Sequence, residues 1–491
     1  MTSKNQVGKT LKHSSIYGIG SLISRLTSLV MLPIYTRFLT PEDYGVIELL
    51  VMAVEIASIL IGLRITQAMM RFYLLEDQED RKNLVVSTVM ILVILTGSLG
   101  VGVLLLFSEQ LTQFIFGGVD YTTEFQLFAV TLLFRAISTT GFTYLRALQE
   151  PVKFVTISVL NLMMQVGLNV YFVVYLELHV TGVVYSVLCS GGVVALGFLY
   201  YTIRRTGVRV SLSMAKELMD FVFPLILASI GAFYASYADK YFLRVYSGLT
   251  EVGLYSLAAR TVSVMGSVFE AFNMSWAADK YEVVKRADAK KVFGQIFRLL
   301  SLAMILSGTL IALFVDDLFH VMTSPEFYPA GPIVPILVVA GIINAIRAYC
   351  NFGAFYGKAT RIIAEATWVK VVVSTIFFLL FIPKYGAIGA ALALVISGGV
   401  EFFWSYTKSR RIYDMELDWR PFIYLFFVAA LAEIVSLAIG SGTILQFSAR
   451  VAIAFLLVFV MYVMPIWEEE DKAIFKAWGR KAKGYLTRVS A

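Results

Sequence analysis

The sequence predicts an all-α polytopic membrane protein of about fourteen transmembrane helices, built as two six-helix bundles followed by two further helices. Three observations predict it: a composition too apolar for one water-soluble core, basic residues that alternate between successive loops, and an internal duplication. The 491 residues are 58% hydrophobic and only 15% charged, with a mean hydropathy of +0.77. Ordinary globular chains carry about 25% charged residues. Hydrocarbon must therefore cover part of the apolar surface.

A spanning helix needs roughly 20 mostly apolar residues. Fourteen segments qualify: 12–37, 44–66, 84–108, 121–145, 153–175, 181–203, 217–241, 252–277, 294–316, 330–350, 363–383, 386–407, 421–439 and 445–466. The loops between them sort by charge. About 32 lysines and arginines fall before the first segment or after the even-numbered ones, against four (Arg37, Lys240, Arg244, Lys384) in the other seven loops. Basic loops stay on the cytoplasmic side, so both termini are expected there. Losing one helix from the count would destroy the alternation. The net charge of +7 is explained by the same bias and needs no nucleic-acid partner. The basic start opens into a long apolar segment without a small-residue cleavage site, so no removable signal peptide is expected. After the last segment, Ile474, Trp478, Ala482 and Tyr485 recur at helical spacing. Residues 467–491 are expected to form an amphipathic helix on the inner membrane surface.

The duplication rests on two matches at one offset. Gly182 and Gly389 each open a helix with Ser-Gly-Gly eight residues on (Ser190–Gly192, Ser397–Gly399) and a double arginine at its end (Arg204–Arg205, Arg410–Arg411). A weaker echo aligns Leu39-Thr-Pro-Glu-Asp-Tyr-Gly45 with the segment from Leu249, placing Gly45 opposite Gly253. Six helices per repeat preserve orientation, so the halves are related by a pseudo-two-fold along the membrane normal. The expected domains are 1–210, 211–415, the helix pair within 416–466, and the tail.

Charged side chains at bilayer depth are costly, so each is a functional candidate. Arg25, Arg135 and Arg260 lie within expected helices, as do Glu55 and, nearer helix ends, Glu48, Glu270 and Glu401. Asp239 adjoins the end of the seventh helix and Lys370 lies in the eleventh. Arg450 is near enough to a helix end to snorkel. Pairing between helices is the structural alternative, with Glu55 a plausible partner for Arg25 or Arg135. A cavity with fixed arginines suits phosphate, which guanidinium binds bidentately. Catalytic signals are missing. Gly353–Lys358 is one residue short of a P-loop, no G-x-S-x-G occurs, and the histidines and the two cysteines (Cys189, Cys350) are scattered. No metal, cofactor or enzyme activity is expected.

The opening, with Arg25, Pro33-Ile-Tyr-Thr-Arg37, Leu39-Thr-Pro-Glu-Asp-Tyr-Gly45 and then Tyr144-Leu-Arg-Ala-Leu148, resembles the polysaccharide-type flippases of the multidrug/oligosaccharidyl-lipid exporter superfamily. The likeness runs over helices one to twelve and is strongest in the first fifty residues. It implies a carrier of undecaprenyl-diphosphate-linked oligosaccharide (O-antigen, capsule or exopolysaccharide units) in the cytoplasmic membrane, working by alternating access. Its partners would be that lipid-linked substrate, membrane lipids, and the polymerase and glycosyltransferases of its pathway. The resemblance places Arg25 and Arg260 in a substrate cavity, with Arg135 a further candidate on bilayer depth. Glu55, Glu48 and Asp239 are candidates for a coupling proton or cation. Other readings are a lipid II flippase, a multidrug antiporter and a non-transporting scaffold of a glycan-assembly complex. The first helix lacks the acid common in cation-coupled drug exporters, which weakens the antiporter reading.

Overall fold

The computed structural model describes residues 31–60, 65–440, 443–464 and 467, with 224, 225, 227, 228, 275 and 278 by backbone only. Arg25 and nearly all of the expected tail helix lie outside the described residues. Those described form helices and no strands. Ten helices are long and apolar enough to cross a membrane, or eleven if one bent pair counts as a span.

Helix α1 reaches residue 38. It is followed by α2 (Pro41–Leu60), α3 (Ile65–Leu75), α4 (Glu79–Leu106), a short α5 (Ser108–Phe116), α6 (Thr122–Ala147), α7 (Pro151–Asn169) and α8 (His179–Thr206). Then come α9 (Leu212–Ser247), α10 (Leu249–Val283), α11 (Ala289–Met322), α12 (Ile333–Cys350), α13 (Phe352–Tyr356), α14 (Arg361–Ile412), α15 (Arg420–Ile439) and α16 (Ile444–Val463). Helix α14 contains two expected spans. It breaks at Gly386, whose φ of 53° and ψ of −131° are non-helical. That backbone suits glycine alone, and Glu251 Oε2 accepts the freed N–H of Ala387 at 2.8 Å.

Local chemistry explains the other boundaries. Thr40 and Asp43 bond reciprocally, Asp43 N–H to Thr40 Oγ1 at 3.1 Å and Thr40 N–H to Asp43 Oδ2 at 3.0 Å. With Pro41 opening α2, this is a capping box. The 39–45 motif therefore has a structural role at its start. Thr443 and Gln446 cap α16 in the same way. Helix α7 ends in a π-turn over Val170–Tyr175.

Packing divides the described chain into two compact units. The first holds residues up to Ser256 with Met322–Phe327 and Phe378–Ala390; the second holds Leu257–Val321, Tyr328–Phe377 and the chain from Ala391. In the first unit, Val85, Val89 and Val93 on α4 face Met69 and Tyr73 on α3, Ala136 and Tyr144 on α6, and Leu218 and Val222 on α9. The four-residue spacing of the valines is the buried stripe of one helix face. Here too α2 crosses the start of α10. A Cβ on Gly45 would lie 2.2 Å from the Leu249 carbonyl oxygen, and one on Gly253 would lie 1.8 Å from that of Pro41. The glycines aligned by the duplication thus face each other, at a separation that admits no side chain on either. In the second unit an aromatic cluster ties α10, α11 and α12 to the start of α15: Trp276 stacks on Tyr349, and Phe297 meets the edge of Trp419.

Candidate functional site

The first unit contains a polar cavity of about 580 Å³. Its walls come from α2 (Glu55, Ser58), from residues 66, 67 and 70 of α3, and from α6 (Arg135, Thr139, Thr143, Arg146). The α6 residues recur at i, i+4, i+8 and i+11, which is one face of a helix. At 1.5 Å per residue the two arginines are separated by about 16 Å along the axis. The Thr139 and Thr143 hydroxyls lie in the interval, Thr139 exposed and Thr143 buried, so the face forms a polar track.

Two cations mark that track and differ in what holds them. Arg135 Nη2 pairs with Glu55 Oε1. The Arg135 side chain keeps 51% of its surface accessible, against 24% for Glu55, so the guanidinium meets the carboxylate on one side and the cavity on the other. Arg146 donates to Thr143 Oγ1 at 2.9 Å and has no carboxylate partner among the described residues. It is the less neutralised charge of the cavity. Sequence reading placed Arg146 among the loop cations and passed over the threonines. The recoverable signal was their four-residue spacing behind Arg135.

Glu48 and Asp239 are brought together elsewhere in the first unit, around Lys240. Lys240 Nζ lies 2.6 Å from Glu48 Oε2. Asp239 accepts from Tyr255 Oη at 2.5 Å and from the Lys240 N–H at 2.8 Å. Glu48, Asp239 and Tyr255 are buried. This cluster joins α2, α9 and α10, and none of its members lines the polar cavity. Arg260 belongs to the second unit, where it is half-buried and engaged in polar interactions.

The second unit carries two ionic clusters of its own. Glu401, with a side chain 4% exposed, sits between Arg347 at 3.2 Å and Lys370 at 3.4 Å. Arg450 does not snorkel. Its side chain is 2% exposed and pairs with Asp317 at 2.8 Å and Asp316 at 3.4 Å. Two carboxylates near the end of α11 supply a buried partner for both terminal nitrogens, so the charge is paired without reaching water, while Nε has no acceptor. Among the described residues no group of three or more His, Cys, Asp or Glu side chains is placed to hold a metal.

A family described as "Polysaccharide biosynthesis protein" matches residues 10–277. The chain is 24% identical over 230 residues to the probable low-salt glycan biosynthesis flippase Agl15 of Haloferax volcanii, a match covering 45% of this chain and 48% of that relative. The chain thus spans about half the length of that protein. Among solved structures it is similar to the lipid II flippase MurJ in an inward closed conformation, with a TM-score of 0.70 and 13% identity over 91% of this chain and 97% of the other. It is also similar to an inward-facing multidrug resistance MATE family transporter of the MOP superfamily, with a TM-score of 0.61 and 17% identity over 80% and 95% of the two chains. At those identities the likeness is one of fold.

Proposed function

We propose that this chain, which belongs to the polysaccharide biosynthesis protein family, is a flippase that carries undecaprenyl-diphosphate-linked oligosaccharide across the cytoplasmic membrane by alternating access. The observation that carries the reading is the polar track on α6, with arginines at both ends and hydroxyls between. A diphosphate needs cations and hydrogen-bond donors to leave water, and its sugars need hydroxyl partners. The track supplies both without a covalent step. Arg146, free of a carboxylate, takes the phosphate first. Arg135 follows, and the phosphate replaces Glu55 as its counter-ion. Glu55, released, becomes the site for a coupling proton or cation. Glu48 and Asp239 are closed off by Lys240 and Tyr255, so the coupling role falls to Glu55. Arg25 and Arg260 complete the proposed set of substrate cations.

The full chain reconstituted in liposomes, offered lipid-linked oligosaccharide, lipid II and a cationic dye in turn, tests the reading. Translocation of the oligosaccharide lipid is expected. Movement of lipid II alone would replace the substrate with the cell-wall precursor, dye movement alone would make the chain a drug exporter, and movement of none would favour the scaffold.

A further inference from the structure

The first unit has a second cavity, on the opposite face of α2 from the polar one. It measures about 390 Å³, within the range of small-molecule sites. Its lining includes Met52, Ile56 and Leu60 of α2, Phe114 of α5 and a run of α9 from Phe233 to Phe242, and it exposes no polar surface. The α9 run is nine steps long, or about 13–14 Å at 1.5 Å each. The hydrocarbon of one leaflet is about 15 Å deep, half of a 30 Å core. The slot therefore runs nearly the depth of one leaflet.

A cation stands at its rim. Phe114 and Tyr241 stack across the slot with ring centroids 5.3 Å apart. Arg244 follows Tyr241 by one turn on α9. Its guanidinium rests on Gly117, where a Cβ would lie 2.1 Å from Nη2 and where φ is +71°. Gly117 ends α5, the helix that brings Phe114 to the slot. Arg244 has no carboxylate partner among the described residues, and its Nη2 has no acceptor. Buried donors are nearly always paired, and the other guanidinium nitrogens of this half-buried side chain remain for a ligand. This is also the end of the helices where basic residues are scarce, the side a lipid reaches after crossing.

We infer that the cavity is a lipid site that holds the isoprene units next to the phosphate of a polyprenyl phosphate, with the phosphate on Arg244. One slot and one cation suit a lipid with a single chain per phosphate. The inference rests on the function proposed above and adds to it a place for the carrier lipid on the far side of the membrane from Arg146.

The test uses the full chain in nanodiscs of phosphatidylcholine and a polyprenyl phosphate bearing a diazirine in the isoprene units next to the phosphate. Photolysis is expected to label peptides from 108–116 and 233–242. Excess unlabelled polyprenyl phosphate should remove that labelling, and the same excess of phosphatidylglycerol should leave it. Arg244→Gln should weaken the apparent affinity about tenfold or more, the scale of a lost charge-assisted hydrogen bond, and Arg244→Lys should restore part of it. The wild-type map stands even if a variant misfolds. Equal competition by phosphatidylglycerol would overturn the assignment in favour of an ordinary phospholipid. Saturable labelling confined to other peptides would overturn the location and leave the carrier reading standing. No saturable labelling anywhere would overturn both.

Discussion

At the scale of single residues, the polar cavity is organised by a difference between two arginines. Arg135 arrives already paired with Glu55, whereas Arg146 is held only by Thr143. If a phosphate exchanges with Glu55, removing the two arginines should have unequal consequences. Arg146→Ala is expected to weaken loading of the lipid-linked substrate about tenfold or more, since a hydrogen bond to a charged group contributes about 1.5–3 kcal/mol. Arg135→Ala should also leave Glu55 without its partner. Glu55→Gln frees Arg135, so substrate binding in proteoliposomes should hold or tighten while turnover falls. A Glu55→Gln protein that transports at the wild-type rate would remove Glu55 from the coupling role.

Elements are joined by contacts that tolerate little change. The α2–α10 crossing brings backbone to backbone at Gly45 and Gly253. Gly253→Val should lower the melting temperature of the detergent-solubilised protein, because overpacking typically costs about 1–3 kcal/mol. Substitution by valine at the nearby exposed Thr250 should leave it unchanged. Helix α16 is tied to α11 through Arg450. Arg450→Ala leaves two half-buried carboxylates without their cation, and breaking a buried pair in this way costs about 3–5 kcal/mol. The variant is expected to unfold early in thermal melts. Recovery in an Arg450→Met, Asp316→Asn, Asp317→Asn triple variant would show that charge imbalance, rather than lost packing, is the cause.

For the molecule as a whole, the polar loops link stability to pH. Burial alone would raise Glu150, but hydrogen bonds from Lys153 and Arg205 reverse this and hold its carboxyl below the usual range. The bonded distances are 2.9 Å and 3.3 Å. Asp414 behaves alike: burial raises it, and the Glu416 N–H and Arg410 together bring it lower. A carboxylate depressed by folding contributes stability above its unfolded pKa and loses it as pH falls through its folded one. Stability should therefore decline as pH drops below the ordinary carboxylate range. Glu150→Gln should flatten that part of the melting profile; an unchanged profile would remove Glu150 from the linkage.

Hydropathy and loop charge were enough to determine that this is a many-helix membrane protein and where its helices lie, because lipid requires every backbone polar group to be satisfied within its own segment. Each helix is then decided by local composition, and described helices cover most of each segment expected from the second to the fourteenth, while α2 stops at Leu60 and the short α3 and α5 were not expected. The Glu55–Arg135 pair was legible too, as a named alternative, since each charge sits deep in its own helix. What tertiary structure alone decided was which side chains share a space. It gathered the α6 track into one cavity, turned Glu48 and Asp239 toward Lys240 and Tyr255, and buried Arg450 against α11. Such outcomes depend on how each helix is rotated about its axis and which neighbour it meets. Hydropathy is averaged along a segment and carries no information on that rotation, so a charge can be located in depth from sequence while its partner is chosen only by packing.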